Sequence, residues 1–165
     1  MNNLLLVIDL QSNFVNDFTK TIPNKVRMLL ESKRFDNVVF TKFLNDKNSQ
    51  FYNVLNYKGC IEERDRASVV DTGNARIIEK KVYTAYNDEL VKYIKDNNIN
   101  TIYLCGIDTN ACVLKTALDL FENNYDVKVI EHCSMGHSGK EYHDFCIKLL
   151  EKLIGKDNIM KIIEK

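Results

Sequence analysis

The apolar residues of this chain gather in short runs, separated by segments with helical spacing. The stretches Leu4–Asp9, Asn37–Phe43 and Thr101–Cys105 are almost continuously apolar, whereas Val127–His132 alternates apolar and polar residues. Continuous apolar runs of this length are typical of strands covered on both faces, as in parallel sheets. We therefore predict a strand at each stretch, and a short final strand at residues 159–163.

The segments between these runs carry start signals for helices. Pro23 suits a first helical turn, and Asn87 and Asn110 are predicted to be N-caps. Ser138 and Glu141 form a predicted capping box. Alternation of strands and helices predicts an α/β fold with three α/β/α layers. Its sheet should be open, mostly parallel and Rossmann-like, with five to six strands.

One long connection interrupts the alternation. Residues Leu44–Val70 show weak periodicity and many polar side chains, and the stretch is long for a simple connection. We predict a partly structured functional loop or lid. Its aromatic residues Phe51, Tyr52 and Tyr57 either close over a site or form a subunit contact, and the sequence does not decide between these.

Length and charge narrow the possible partners. The chain has 165 residues, which predicts one domain over residues 1–165. Its 23 basic and 23 acidic residues balance, so charge favours neither a nucleic acid nor an anionic membrane as partner. The apolar run Leu4–Ile8 is too short to span a membrane and lacks a basic flank, so no signal peptide is predicted.

The cysteines indicate a reducing compartment. There are five, an odd number, and no two are spaced as Cys-x-x-Cys. This disfavours a disulfide framework or a structural zinc site and favours a cytoplasmic location. Most such cysteines are small buried apolar residues. Cys112 is the exception, because it lies at the predicted start of a helix beyond a strand end.

Three reactive residues fall where open α/β sheets bind ligands, beyond the carboxyl ends of strands. Asp9 ends the first predicted strand, and Lys80 follows the apolar segment Ala75–Ile78. Cys112 lies at the start of the helix that follows the strand at Thr101–Cys105. If the first of these strands neighbours the strand before Cys112, Asp9 and Cys112 meet across the crevice.

The position of Cys112 suggests activation of its thiol. A cysteine in the first turn of a helix faces unpaired N–H groups and the positive end of the helix dipole. A nearby lysine adds to this, so we expect a thiol pKa lowered from about 8.5 to roughly 3.5–7.5. Asp9, Lys80 and Cys112 then supply a base, a cation and a nucleophile for attack on a carbonyl. A purely structural Asp–Lys pair is the alternative.

Three motifs resemble those of the isochorismatase-like cysteine hydrolases. The segment Asp9-Leu10-Gln11-Ser12-Asn13-Phe14 is similar to the D-x-Q-x-x-F motif that opens this family. Lys80-Lys81-Val82-Tyr83-Thr84-Ala85-Tyr86 is similar to K-x-x-Y-S-A-F, with Thr and Tyr in place of Ser and Phe. Cys105-Gly106-Ile107-Asp108-Thr109-Asn110-Ala111-Cys112-Val113 resembles C-G-(V/I)-x-T-(D/N)-x-C-V, the nucleophile turn. The motifs follow in the family's order, which implies an isochorismatase-like hydrolase fold.

The resemblance also implies roles for individual residues. Asp9 would be the general base, Lys80 would hold Asp9 and the nucleophile in register, and Cys112 would attack the substrate carbonyl. A cis peptide bond would join Ile107 to Asp108, and the N–H groups of Asp108 and Cys112 would form the oxyanion hole.

The candidates for substrate binding are residues inside the matched motifs: Gln11, Phe14, Tyr83 and Tyr86. The three aromatic ones would wall a flat pocket. The substrate would be a small molecule, no cofactor is expected, and the resemblance favours a homodimer or higher homo-oligomer.

Two departures from the family pattern affect specificity. A carboxylate at Asp108 is unusual, and it would repel an anionic substrate, bind an amine, or be a solvated turn residue. Nicotinamidases of similar core place an Asp and two His after the second strand, whereas residues 41–48 here contain no histidine. His132, His137 and His143 lie much later, and we expect each to be a surface or hydrogen-bonded histidine. No catalytic metal is therefore predicted, and nicotinamidase activity is disfavoured.

Hydrolysis of an amide or related C–N bond through a thioester at Cys112 is the leading hypothesis. One alternative is vinyl ether hydrolysis of the isochorismatase type, although family members with that chemistry generally lack the cysteine. Another is a non-catalytic binding module on the same scaffold. A flavodoxin-like nucleotide binder is disfavoured, because no glycine-rich phosphate loop follows the first strand.

Overall fold

A computed structural model describes residues 2–161 of the chain. Its centre is a parallel sheet of six strands in the order β3-β2-β1-β4-β5-β6. The strands are β1 (Asn3–Ile8), β2 (Asn37–Phe43), β3 (Arg76–Lys80), β4 (Thr101–Gly106), β5 (Asp126–Ser134) and β6 (Ile159–Met160). The predicted open parallel sheet is confirmed. Of the predicted final strand, residues 159 and 160 are observed, and residues 162 and 163 lie outside the described part.

Helices cover both faces of this sheet. They are α1 (Ile22–Glu31), α2 (Gln50–Asn53), α3 (Glu63–Arg66), α4 (Asp88–Asp96), α5 (Leu114–Glu122) and α6 (Lys140–Ile154). Short 3-10 turns occupy Ser12–Phe14 and Lys156–Asn158, and a π-helical turn occupies Thr109–Val113. None of the helices within residues 2–161 is long and apolar enough to cross a membrane.

Strand β1 lies at the centre because both of its faces are apolar. Leu4, Leu6 and Ile8 pack into a core with α4, α5 and α6, whereas Leu5 and Val7 pack into a second core with α1. The side chains of a strand alternate between faces, so one continuous apolar run fills both cores. β1 pairs with β2 on one side and β4 on the other, and the strand order reverses there. This is the crevice in which open α/β folds bind ligands.

The helix starts were predicted with mixed success. Asn87 caps α4 by accepting a hydrogen bond from the N–H of Leu90 at 2.9 Å, as predicted. The predicted cap at Asn110 is wrong, because the carbonyl of Asp108 already accepts from the N–H groups of Ala111 and Val113. Asn110 therefore lies inside the π-helical turn, and α5 begins only at Leu114.

The capping box at Ser138 is also wrong. Helix α6 begins after Gly139, whose φ is 107° and which provides no side-chain cap. A Cβ atom on this glycine would lie 3.4 Å from the ring of Phe18. The left-handed backbone and the neighbouring ring both favour glycine here, and they displace the start of the helix from Ser138.

The long connection is partly structured, as predicted. It contains α2 and α3, and Ser49 caps α2 by accepting from the N–H of Tyr52 at 3.0 Å. Asn45 joins the start of the connection to its middle, because its amide group donates to the carbonyls of Tyr57 and Gly59. The connection thus folds back over the carboxyl end of β2.

Candidate active site

Three side chains from distant parts of the chain meet at the carboxyl edge of the sheet. Asp9 follows β1, Lys80 ends β3, and Cys112 lies in the turn between β4 and α5. Lys80 Nζ is 2.6 Å from Asp9 Oδ2 and 3.5 Å from Cys112 Sγ. All three residues are buried. The structure thus brings together the three residues that the sequence proposes as catalytic.

Lys80 reaches this position across the end of β2. Its strand is two positions from β1 in the sheet, and its Nζ lies 5.2 Å from the centre of the Phe43 ring. The ammonium also donates to the carbonyls of Val82 and Tyr83 at 3.0 and 3.1 Å. Burial lowers the pKa of Lys80, but its ion pair with Asp9 and its contact with the sulfur of Cys112 outweigh this effect, so the pKa is raised. Lys80 is therefore a fixed cation.

Thr41 orients the carboxylate of Asp9. Its hydroxyl donates to Asp9 Oδ1 at 2.6 Å and accepts from the N–H of Asp9 at 3.0 Å. Sequence reasoning missed this residue. The available signal was a threonine inside the apolar run of β2, at a position that faces the neighbouring strand end.

The thiol of Cys112 is protonated in the resting site. Burial and then the charge of Asp9 raise its pKa well above the ordinary value, although Lys80 opposes them. This corrects the lowered pKa predicted from a helix start. Because Cys112 lies near the end of the π-helical turn and is 8% exposed, desolvation outweighs the help of the helix.

The nucleophile turn is held rigidly against the rest of the fold. Gly106 has a φ of 122°, and a Cβ there would lie 2.2 Å from the carbonyl oxygen of Ile8. The peptide bond between Ile107 and Asp108 is cis. Thr109 Oγ1 lies 2.9 Å from His143 Nδ1, and the Cys146 thiol donates to the Thr109 carbonyl. Helix α6 thereby supports the turn from behind.

Asp108 forms an ion pair instead of facing solvent. Its Oδ1 accepts from the N–H of His137 at 2.5 Å, and its Oδ2 pairs with His137 Nδ1. The Asp108 side chain is 7% exposed, whereas that of His137 is 50% exposed. The interpretation of Asp108 as a solvated turn residue is therefore wrong, since His137 uses both of its oxygens. His137 is hydrogen-bonded as expected, but its place beside the nucleophile turn was not predicted.

A cavity of about 610 Å³ opens onto Cys112. One wall is apolar and consists of Phe14, Phe43, Phe51, Leu55, Tyr57 and Tyr83. The other wall consists of Asp108, Asn110, Ala111, Cys112, Lys115 and His137. The apolar wall is a continuous aromatic cluster, because Phe51 contacts the rings of both Phe43 and Tyr83 at about 5 Å between centres.

Two of the four predicted substrate-binding residues line this cavity, namely Phe14 and Tyr83. Gln11 does not, because its amide group binds the backbone N–H and carbonyl of Phe43 and is buried. Tyr86 does not either, because its ring packs on the larger core and against Tyr125. Both predictions are corrected: Gln11 holds the end of β2, and Tyr86 is a packing residue.

The long connection supplies half of the apolar wall, namely Phe51, Leu55 and Tyr57. Phe51 and Tyr57 line the cavity, whereas Tyr52 is absent from its lining. The ring of Tyr57 stacks on that of Phe14 at 6.1 Å, and its hydroxyl accepts from the Asn13 side chain at 2.6 Å. Of the two alternatives left open for these aromatics, the structure places Phe51 and Tyr57 over the site.

No group of three or more His, Cys, Asp or Glu side chains in residues 2–161 is arranged to hold a metal ion. Asn45 and Asp46, which follow β2, bind within their own loop and to Lys81. The absence of a catalytic metal stays a prediction.

Comparison with known proteins identifies the family. The isochorismatase domain model matches residues 3–156. Isochorismatase family protein 2A of Dictyostelium discoideum is 31% identical over 84% of this chain and 68% of its own length. The chain spans about three-fifths of the length of two further curated relatives from that organism.

Solved structures agree on the fold. An isochorismatase-like hydrolase from Alkaliphilus metalliredigens superposes with a TM-score of 0.82 at 22% identity, covering 97% of this chain and 94% of that one. N-carbamoylsarcosine amidase from Thermoplasma acidophilum gives the same TM-score at 18% identity, covering all of both chains. At these identities the likeness shows the fold alone. The match of the family model over nearly the whole chain shows that the protein belongs to the isochorismatase domain family.

Proposed function

We propose that this protein is a cysteine hydrolase that cleaves a small amide or a related C–N bond through a thioester at Cys112. One observation carries the proposal: Lys80 Nζ lies within hydrogen-bonding reach of both Asp9 and Cys112, beside an aromatic cavity. A base, a fixed cation and a nucleophile are the groups that covalent hydrolysis of an acyl bond requires.

The first half-reaction forms the thioester. Because the resting thiol is protonated, Asp9 must accept its proton as Cys112 Sγ attacks the carbonyl carbon. The oxyanion that forms would accept hydrogen bonds from the N–H groups of Asp108 and Cys112. Collapse of this intermediate breaks the C–N bond, and the leaving nitrogen takes the proton from Asp9. One such oxyanion donor typically contributes about 10²–10³ in rate.

The second half-reaction restores the enzyme. Asp9, again a carboxylate, removes a proton from water as the water oxygen attacks the thioester carbonyl. Breaking the C–S bond releases the carboxylic acid, and the sulfur regains its proton from Asp9. Lys80 keeps its charge throughout, which stabilises Asp9 and the sulfur whenever either is negative.

The cavity favours a compact planar substrate. Its volume of about 610 Å³ suits a small molecule, and its aromatic wall suits stacking on a flat group. The amidase with the same fold is consistent with C–N chemistry on this scaffold, but this support is analogy. Assembly as a homodimer or larger, and a cytoplasmic location, stay predictions of the family resemblance and the cysteine content.

A screen of primary amides and carbamoyl compounds for ammonia release tests the proposal. We expect Cys112→Ala to abolish turnover of any substrate found, and mass spectrometry of the quenched wild type to show an acyl adduct on the Cys112 peptide. Cys133→Ala is the matched control, because this buried cysteine lies outside the cavity lining. Turnover that survives Cys112→Ala, or an adduct on another residue, would refute the thioester mechanism.

A further inference from the structure

The nucleophile turn carries a second buried carboxylate, which opposes formation of a thiolate. Asp108 lines the same cavity as Cys112, four residues before it, and its side chain is 7% exposed. After burial and Asp9, the charge of Asp108 adds to the rise in the pKa of Cys112. An uncompensated carboxylate at this place would make the nucleophile harder to activate.

His137 supplies the compensating charge through two contacts. Its N–H donates to Asp108 Oδ1 at 2.5 Å, and its Nδ1 pairs with Oδ2. The hydrogen bond to Asp108 raises the pKa of His137, which partial burial only partly offsets. Asp108 therefore stabilises the imidazolium form of His137, which lies on the cavity wall with half of its side chain exposed.

The backbone holds His137 in register with the nucleophile turn. The N–H of Met135 donates to the carbonyl of Gly106, and the N–H of Thr109 donates to the carbonyl of Met135. On the other side, the Asn16 side chain donates to the carbonyl of His137 at 2.8 Å. The segment between β5 and α6 is thus tied to the turn that carries Cys112, so the ion pair is a fixed part of this site.

We propose that protonated His137 is a positioning residue that neutralises Asp108 beside Cys112 and thereby sets the pH range in which the thiol is activated. The inference rests on the proposed role of Cys112 as nucleophile. When pH rises until His137 loses its proton, the charge of Asp108 is no longer balanced, and removing the proton from Cys112 costs more. The pair therefore links the reactivity of the thiol to the charge of a partly exposed histidine.

The other charged side chains around His137 form ion pairs of their own, and the remaining titratable side chains line the cavity with it. On the cavity wall these groups are Lys115, which pairs with Asp119, and the titratable side chains of Cys112, Tyr57 and Tyr83. From the loop after β1, Asp17 pairs with Lys20. From α6, Lys140 pairs with Asp144. Asp17, Asp119 and Asp144 are each paired with a lysine, so Asp108 is the carboxylate that pairs with His137.

The test measures alkylation of Cys112 by iodoacetamide as a function of pH, without substrate, by mass spectrometry of the Cys112 peptide. His137→Asn keeps a donor near the position of Nδ1 but removes the charge. We expect its alkylation profile to move to higher pH by about 0.5–1, with a rate at pH 7 reduced about threefold to tenfold. Asp108→Asn should move the profile to lower pH.

The double variant Asp108→Asn/His137→Asn separates electrostatics from structure. Once Asp108 is neutral, loss of the His137 charge should change the alkylation rate of Cys112 at pH 7 by less than about twofold, because no carboxylate remains to be compensated. An equal effect of His137→Asn in both backgrounds, or no effect in either, would overturn the proposal. Asp108→Asn alone keeps the test decisive if His137→Asn does not fold, since an unshifted profile would also refute it.

Two matched controls complete the design. His132→Asn changes an exposed histidine outside this cavity, and Asp96→Asn removes one charge of an exposed ion pair on α4. Neither should move the profile. The readout needs no turnover, so failure to find an amide substrate would challenge the proposed function and leave this result standing on its own.

Discussion

Two acid–base pairs belong to the site of Cys112, and they differ in depth. In the pair of Asp9 and Lys80, both side chains are at most 1% exposed. In the pair of Asp108 and His137, the acid is buried but half of the histidine side chain is exposed. The first pair joins the ends of β1 and β3 at the carboxyl edge of the sheet, whereas the second joins two loops at the cavity wall.

We call Asp9 and Lys80 the deep pair, and Asp108 and His137 the shallow pair. The charge of Lys80 in the deep pair is permanent, whereas the charge of His137 in the shallow pair depends on pH. Lys80 has no access to water and binds four groups, so its proton stays in place over the whole physiological pH range. Half of the His137 side chain is exposed to solvent, and histidine is the side chain whose ordinary pKa lies closest to physiological pH. The deep pair builds the site, and the shallow pair modulates it. Breaking each pair in turn tests this contrast.

Lys80→Met should have the largest effect. Removing one partner of a buried ion pair typically costs about 3–5 kcal/mol, because the remaining charge has no partner. We expect that loss in the free energy of unfolding, measured by urea denaturation, together with a fall in kcat of at least about 10³. The double variant Asp9→Asn/Lys80→Met should recover stability without recovering activity.

An exposed pair provides the control for this result. Lys92 and Asp96 form an i,i+4 ion pair on α4 with more than half of each side chain exposed. Lys92→Met should change the free energy of unfolding by less than about 0.5 kcal/mol. If Lys80→Met were equally mild and still active, the deep pair would have neither the structural nor the catalytic role assigned to it.

The deep pair was predictable from sequence because its residues follow strand ends. Asp9 directly follows an apolar run, Lys80 comes two residues after Ile78, and parallel strands bring their carboxyl ends to one edge. The shallow pair was not predictable, because His137 lies 29 residues from Asp108 in a loop without a recognisable pattern. Which histidine meets a given carboxylate depends on the path of that loop, and no local signal encodes this path.

The lack of a local signal for side-chain direction also explains why Gln11 and Tyr86 were wrongly predicted to line the cavity. Gln11 and Tyr86 stand in matched motifs, but a motif marks position along the chain and leaves the direction of each side chain open. Gln11 turns toward the backbone of Phe43, and Tyr86 turns into the core. The misplaced helix starts at Asn110 and Ser138 have a similar cause, since tertiary contacts of the nucleophile turn and of Gly139 override local capping preferences.

Thr41→Val should produce an intermediate effect on the deep pair. The hydroxyl of Thr41 donates to Asp9 Oδ1, so valine leaves a buried carboxylate oxygen without this donor. Such a loss typically costs about 1–3 kcal/mol. We expect that decrease in the free energy of unfolding and a fall in kcat of about tenfold, since Asp9 becomes free to rotate away from the thiol.

Thr41→Ser is the matched variant, because it keeps the hydroxyl and removes only a methyl group. It should keep most of both the activity and the stability. If valine kept as much kcat as serine does, the hydroxyl of Thr41 would have no role in orienting Asp9.

The smallest predicted effect is a pH-dependent stability at the shallow pair. Asp108 raises the pKa of His137 in the folded chain, so the folded state binds the proton more tightly than the unfolded state. The resulting stability is fully present below about pH 6.5, the ordinary histidine value, and is lost as pH rises through the folded pKa. Because half of the side chain is exposed, we expect it to be below about 1 kcal/mol.

Comparison with a variant is needed to see this effect, because another histidine acts in the opposite direction. Burial lowers the pKa of His143, so its contribution is lost as pH falls. Subtracting the stability of His137→Asn from that of the wild type at each pH cancels His143. The difference should be largest below about pH 6.5 and decrease as pH rises through the folded pKa of His137; a difference independent of pH would mean that His137 acts on Asp108 through hydrogen bonds alone.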